Sequence, residues 1–240
     1  MKPSPKTQRS QPPLAHRPES ARGPLRLAVF DLDGTLKESY SPWRYLHEAL
    51  GLEEQASVYR ARFFAGEIGY LEWARLDAAL WKGVEVALVE AIFRGSHYRP
   101  GVLALFRILQ KNGVHTAIVS TGLDIHVRQV AADLGVWRTV SNELLVRDGL
   151  LTGEVLVHVT EEGKGPVMTQ LRGEAGAAPN ECLAVGDGLA DIDLFAQAAL
   201  AAAVCPRDER VRCAAHVVIE DGNLETLIPL LKQRFRLDRT

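Results

Sequence analysis

Phe30-Asp31-Leu32-Asp33-Gly34-Thr35-Leu36 decides the fold. The residues leading into it, 25–30, are apolar apart from Arg26 and read as a short buried strand. Two carboxylates then stand at its carboxyl end, and Gly34 lets the backbone turn. In open α/β sheets ligands bind outside the carboxyl ends of strands, so an acidic pair stands where a site is expected. Adjacent carboxylates repel, and a divalent cation relieves them. Mg²⁺ suits a pair of Asp together with phosphate and water. An Asp can also attack phosphorus, and a second can protonate the leaving oxygen and then deprotonate water. Thr35 offers a hydroxyl and a backbone N–H to phosphate oxygens. The plain alternative is a solvated turn. An EF-hand loop is excluded, because it needs Asp or Asn at 35 and Gly at 36, where the chain has Thr35 and Leu36. A receiver domain is smaller. A glycosyltransferase Asp-x-Asp site stays open at this point.

The totals, 240 residues with 47% hydrophobic, fit one domain with an insertion or two small domains. A formal charge of −2 offers no electrostatic footing for nucleic acid or a membrane surface. No apolar run reaches the roughly 18 residues that mark a spanning helix. Cys182, Cys205 and Cys213 lie in or beside apolar runs and read as buried reduced thiols of a cytoplasmic protein. No Cys/His spacing resembles a zinc site. Residues 1–24 carry Pro, Ser, Gln and basic residues without the apolar core of a secretory signal, and read as a disordered leader. A transit-like or nucleic-acid-binding role is the alternative for that segment.

Residues 38–98 read as a small helical bundle, with helices near 43–50, 53–64, 70–81 and 84–93, stopped by Gly51, Gly66 and Gly83. Inserted beside a strand-end site, they form a cap that excludes water and selects substrate. Within them Arg75 is a candidate grip for an anionic substrate group, or else a surface charge pairing with Glu72. The core then comprises 25–37 and 99–240. A helix over 102–111 leads to a strand over 114–119 and to Ser120-Thr121-Gly122, before a helix over 124–134. A strand ending in Ser-Thr-Gly before a helix makes an oxyanion site, or an ordinary helix cap.

A strand at 136–140 precedes a hairpin, 144–146 with 150–155, turning at Asp148-Gly149. His126 and His158 read as packing or surface residues, since no second ligand stands at metal spacing. Gly163-Lys164-Gly165 opens a helix over 166–175. It is no Walker loop, which would need Gly at 158 and Ser or Thr at 165. Its lysine can still reach a phosphate held elsewhere. A strand over 181–185 ends in Gly186-Asp187-Gly188, with Asp191 four residues after Asp187 on the same face of a first helical turn. Plain helix-dipole stabilisation is the alternative for Asp191. Strands at 200–204 and 217–219, a helix over 224–235 and a basic, frayed tail complete the chain.

Four polar clusters therefore each follow an apolar strand or open a helix: Asp31/Asp33, Ser120/Thr121, Lys164 and Asp187/Asp191. Alternating strands and helices imply a doubly wound, mostly parallel α/β sheet, in which the clusters converge on one edge. Carboxylates, a lysine and hydroxyls together make a magnesium-dependent phosphoryl site. Phe30-Asp31-Leu32-Asp33-Gly34-Thr35, Val119-Ser120-Thr121-Gly122, Lys164, and Gly186-Asp187-Gly188 through Asp191 resemble the four motifs of the haloacid dehalogenase superfamily phosphatases. The likeness covers about residues 25–232 and is to the phosphoserine phosphatase-like branch with a helical cap.

The resemblance implies that Asp31 is the nucleophile and Asp33 the general acid/base. It implies that Asp31, the Asp33 carbonyl and Asp187 hold Mg²⁺ with support from Asp191, and that Ser120, Gly122 and Lys164 hold the phosphoryl group. In the cap, the segment from Gly66 to Arg75 resembles the one whose arginine contacts the phosphoserine carboxylate. The family's glutamate at the start of the cap falls at Tyr40, and Ala190 stands where the family often has Asn. The implied activity is hydrolysis of a small phosphomonoester, phosphoserine first. Phosphotransfer and a non-catalytic binding protein are the alternatives.

Overall fold

The computed structural model describes residues 23–160 and 162–237. The leader expected over 1–24 lies, up to residue 22, outside the described residues, as does the tail from 238 to 240. The first strand, β1 (Leu27–Phe30), is buried at every position. Ala28 and Phe30 face one core and Leu27 and Val29 the other, the pattern of a strand covered on both faces. It pairs in parallel with β2 (His115–Leu123) on one side and β5 (Cys182–Gly186) on the other. With β3 (Arg138–Arg147), β4 (Leu150–Leu156), β6 (Leu200–Val204) and β7 (Val217–Ile219), the sheet runs β4-β3-β2-β1-β5-β6-β7. Among these seven strands of the described residues, β3 and β4 alone pair antiparallel. The chain is thus a doubly wound α/β protein, as the sequence implies.

Four helices stand between β1 and the rest of the sheet: α1 (Pro42–Ala49), α2 (Glu53–Phe64), α3 (Tyr70–Ala79) and α4 (Val86–Arg94). Then come α5 (Val102–Lys111), α6 (Asp124–Leu134), α7 (Gly165–Ala175), α8 (Ile192–Phe195), α9 (Glu209–Ala214) and α10 (Leu227–Arg234). Helices α5, α6 and α10 cover one face of the sheet through Phe106, Val130 and Leu231, and α7, α8 and α9 cover the other through Met168, Phe195 and Val211. A third apolar cluster joins Trp43, Leu46, Trp81 and Phe93 of the inserted segment to Leu123, Ile125, Leu144 and Leu151. Backbone bonds reinforce it: Gly83 N–H donates to the Leu151 carbonyl and Leu151 N–H to that of Val84, each at 2.8 Å. The inserted helices are therefore seated on the β3–β4 hairpin and the end of β2.

The sequence expectation is corrected in two places that bear on the site. Strand β2 does not stop at 119 but runs through Ser120, Thr121 and Gly122 to Leu123, with an irregularity in its pairing to β3 after Val119. The strand expected at 136–140 and the first arm of the hairpin form one continuous strand, β3. The polar run Ser141-Asn142-Glu143 suggests a break, but Asn142 is fully buried and hydrogen-bonded, so the strand continues. Among the described residues no helix is long and apolar enough to cross a membrane.

Candidate active site

The order of strands reverses at β1, with β2 on one side and β5 on the other, and the crevice at such a point is where α/β sheets bind ligands. Asp31 and Asp33 leave β1 there, Ser120 and Thr121 stand in the carboxyl half of β2, and Asp187 follows β5. Two glycines make the crowding feasible. At Gly34, with φ +90°, a Cβ would overlap the Asp187 carboxylate. At Gly122 it would come within 2.6 Å of Pro42 Cγ and 2.9 Å of Asp33 Oδ2.

Lys164 caps α7 and is 1% exposed. Its Nζ donates to Asp31 Oδ1 at 2.5 Å and to Asp191 Oδ1 at 2.8 Å. Burial alone would lower the lysine pKa, but the Asp191 and Asp31 carboxylates outweigh it and raise it above its ordinary range. The second Asp191 oxygen accepts the N–H groups of Asp187 and Gly188, both at 3.0 Å, and so fixes the loop that carries Asp187. Thr35, fully buried, donates its hydroxyl to Asp187 Oδ1 at 3.2 Å. Oxygens of Asp31, Asp187 and Asp191 lie within 4.8 Å of one another. Burial, and then the charges of Asp31 and Asp191, push Asp187 well above the usual carboxylate range. Asp191 is also raised, because burial outweighs the lysine beside it. Three carboxylates thus cluster about one buried ammonium.

The Asp33 carboxylate stands apart from that triad. Its oxygens have no hydrogen-bond partner among the described residues, and His126 Nδ1 approaches Oδ1 to 3.2 Å. Ser120 Oγ accepts the Gly122 N–H at 2.9 Å, which leaves the hydroxyl proton free to donate elsewhere. The Thr121 carbonyl accepts from Asn142 Nδ2 at 2.8 Å and from Trp43 Nε1 and the Tyr70 hydroxyl, both at 3.1 Å. Asn142 also accepts the N–H groups of His158 and Val159 at 2.9 and 3.0 Å. It ties β2, the inserted helices and the chain after β4 to one another. No motif announced it, since a lone Asn in a polar run carries no local signal.

A cavity of about 480 Å³ opens above these groups. Its floor includes Asp31, Asp33, Ser120, Lys164 and Asp187, and its roof includes Trp43, Arg44, Arg60, Tyr70, Trp73 and Asp77. Arg75 does not join them. It is exposed on α3 and outside the lining. Tyr70, Trp73 and Asp77 stand at i, i+3 and i+7 on the cavity side. Arg75 is two residues from both Trp73 and Asp77, which on a helical turn points it nearly the other way. The arginines that do face the cavity are already paired: Arg60 with Glu53 at 2.7 Å, and Arg44 with Glu48 at 2.7 Å and Glu53 at 3.7 Å. Asp77 is 2% exposed and lies 3.4 Å from His47 Nε2, while His47 Nδ1 accepts from Trp81 Nε1. Burial raises the Asp77 pKa against the opposing pull of His47.

Residues 28–196 match the haloacid dehalogenase-like hydrolase family. The chain is similar to the phosphoserine phosphatase of Polaromonas sp. strain JS666, 30% identical over 222 residues that cover 90% of this chain and 93% of that one. It is also similar to the phosphoserine phosphatase of Methanocaldococcus jannaschii, 29% identical over 86% of this chain and 98% of that protein. Among solved structures, one of a phospho-aspartyl intermediate analogue of phosphoserine phosphatase superposes with a TM-score of 0.73 at 28% identity, covering 86% of this chain and 99% of that one.

Proposed function

We propose, from the premise that this chain belongs to the haloacid dehalogenase-like hydrolase family and is a phosphatase, that its cavity hydrolyses a small phosphomonoester through an aspartyl-phosphate on Asp31. The observation that carries this reading is Lys164, held at 2.5 Å from Asp31 at the floor of the cavity. The lysine orients the carboxylate and offsets the charge that would otherwise repel a phosphate dianion. Asp31 attacks phosphorus, and the alcohol leaves with the proton of Asp33. Asp33 then takes a proton from water, whose oxygen attacks the phosphoryl group and restores the Asp31 carboxylate. The Ser120 hydroxyl and the N–H groups near Gly122 hold the phosphoryl oxygens. Residues 38–98 serve as the cap over a core of 25–37 and 99–240, excluding water during the first transfer.

Mg²⁺ fits the triad. Three carboxylates, two of them raised by burial and mutual repulsion, are a hard, anionic donor set that a divalent cation relieves. Asp31, Asp187 and the Asp33 carbonyl would hold it with Asp191 behind them, and when bound it supplies charge neutralisation to the phosphoryl oxygens. A stability signature follows. Asp187 and Asp191 bind protons more tightly folded than unfolded, so the metal-free protein loses stability as pH rises through their folded values. Mg²⁺ binds the ionised form. Its increment in thermal midpoint is therefore expected to be larger near pH ~8 than near pH ~5. Asp187→Asn should flatten both trends, and equal Mg²⁺ increments at the two pH values in the wild type would count against the site.

The substrate reading is phosphoserine. The roof of the cavity offers both signs, Arg60 and Arg44 for a carboxylate and Asp77 for an ammonium, and the relatives carry that activity in their names. Phosphate release from L-phosphoserine, phosphothreonine, phosphoethanolamine, sugar phosphates and a nitrophenyl ester tests it. Arg60→Ala is expected to raise KM for L-phosphoserine about 10- to 100-fold, the worth of a charge-assisted hydrogen bond, with phosphoethanolamine little affected. Arg75→Ala should change neither. Preference for an ester without a carboxylate would remove phosphoserine and keep the chemistry, and release from no ester would remove both.

A further inference from the structure

His126 sits in the first turn of α6 and is 1% exposed. It packs, as a lone histidine is expected to, on Phe93 of α4, with ring centroids 4.5 Å apart and planes 8° apart. That stack sets the plane of the imidazole. Its Nδ1 then lies 3.2 Å from Asp33 Oδ1. Neither ring nitrogen and neither Asp33 oxygen has an aligned hydrogen-bond partner among the described residues. Leaving buried polar atoms so is costly, and buried groups are nearly always paired. The terminal torsion of the Asp33 carboxyl is soft, so Oδ1 can shift toward alignment with Nδ1–H at little cost. Catalytic hydrogen bonds are commonly misaligned in this way before substrate binds, and tighten afterwards. The other oxygen, Oδ2, already faces Gly122 and Ser120: a Cβ on Gly122 would fall 2.9 Å from it and 3.0 Å from Ser120 Oγ.

We propose that His126 is a positioning residue for the reaction, its Nδ1–H holding Asp33 Oδ1 so that Oδ2 is presented to the leaving oxygen at the phosphoryl site. This rests on Asp33 as the general acid/base of the proposed function. It also makes the inserted helices part of the catalytic geometry, because Phe93 clamps the ring.

The test uses the full chain with Mg²⁺ and two esters: an alkyl phosphomonoester, whose alcohol must be protonated as it leaves, and p-nitrophenyl phosphate, whose leaving group needs no proton. The ratio kcat/KM covers only the steps up to departure of the alcohol and so isolates the acid role. His126→Phe keeps the stack and removes the nitrogen. It is expected to lower kcat/KM about 100-fold on the alkyl ester, the lower range for a general acid, and by no more than about threefold on the nitrophenyl ester. His126→Asn, whose amide nitrogen falls near the Nδ1 position, should recover most of the loss. Adding His126→Phe to Asp33→Asn should cost little more on the alkyl ester, since the two act as a unit. Equal losses on both esters, or no loss on either, would overturn the proposal, and failure of His126→Asn to exceed His126→Phe would do the same. If the wild type turns over neither ester, the parent reading has failed instead, and the wild-type assay shows that before any variant is made.

Discussion

Asp31→Asn is expected to lower kcat by on the order of 10⁴- to 10⁶-fold while the protein stays folded, the scale seen when a nucleophile is removed. An amide oxygen cannot form the phosphoryl ester, so the first transfer has no acceptor. The fold should not suffer. Asn matches Asp in shape, and its Oδ1 can still accept from Lys164 Nζ. The change removes one negative charge from a group of three close carboxylates, and the Asp31 charge is one of the causes that raise Asp187. Without Mg²⁺ the variant should therefore unfold at the same temperature as the wild type or higher. Acid-quenched wild type mixed with substrate should carry one phosphoryl group on the peptide containing Asp31, and the variant none. Residual turnover in the variant near the wild-type rate would show that the nucleophile lies elsewhere.

Lys164→Met should damage both activity and stability. The side chain is fully buried and its ammonium meets two carboxylates at once. Methionine is of similar length but leaves Asp31, Asp187 and Asp191 facing one another without a counter-charge. Breaking a buried ion pair from one side costs about 3–5 kcal/mol. Loss of one preorganised donor at a phosphoryl or oxyanion site costs about 10²- to 10³-fold in kcat. The sign of the pH dependence separates this from a packing defect. The lysine pKa is raised in the fold, so its own contribution is present throughout the ordinary pH range and is lost only at high pH. In the variant Asp187 and Asp191 can escape repulsion by taking up protons, so the gap from wild type in urea denaturation should narrow as pH falls through the raised values of these two groups. A gap that stays constant with pH would mean lost packing alone. Lys164→Arg is not expected to rescue, because a planar guanidinium does not fit the space of a compact ammonium in a closed site.

The apolar run ahead of Asp31 and the turn forced by Gly34 are local features, as are Ser120 after an apolar strand, Lys164 at a helix start, and Asp187 after residues 181–185. Each follows from hydrophobic periodicity and backbone preference acting over a few residues, which a linear chain displays directly. The alternation of strands and helices then leaves few topologies, and all of them bring those strand ends to one edge.

By itself, then, the sequence determined a doubly wound sheet and the identity of the core polar groups. The tertiary structure alone decided which groups touch. Asp31 and Lys164 are 133 positions apart and meet at 2.5 Å because β1 and the start of α7 pack together, a relation no short window contains. Arg75 is suggested by its neighbours in sequence, yet faces away, because the face α3 turns to the cavity is chosen by packing of Tyr70, Ala74 and Asp77 rather than by a clear apolar stripe. Asn142 looks like a break between strands and becomes a buried hub, since its polarity is satisfied by partners from three distant segments. His126 looks like packing and also reaches Asp33, because Phe93, 33 positions before it, holds its ring in place. Periodicity is written into the chain one turn or strand at a time, whereas facing, register and hydrogen-bond partnership exist only once separate elements have packed.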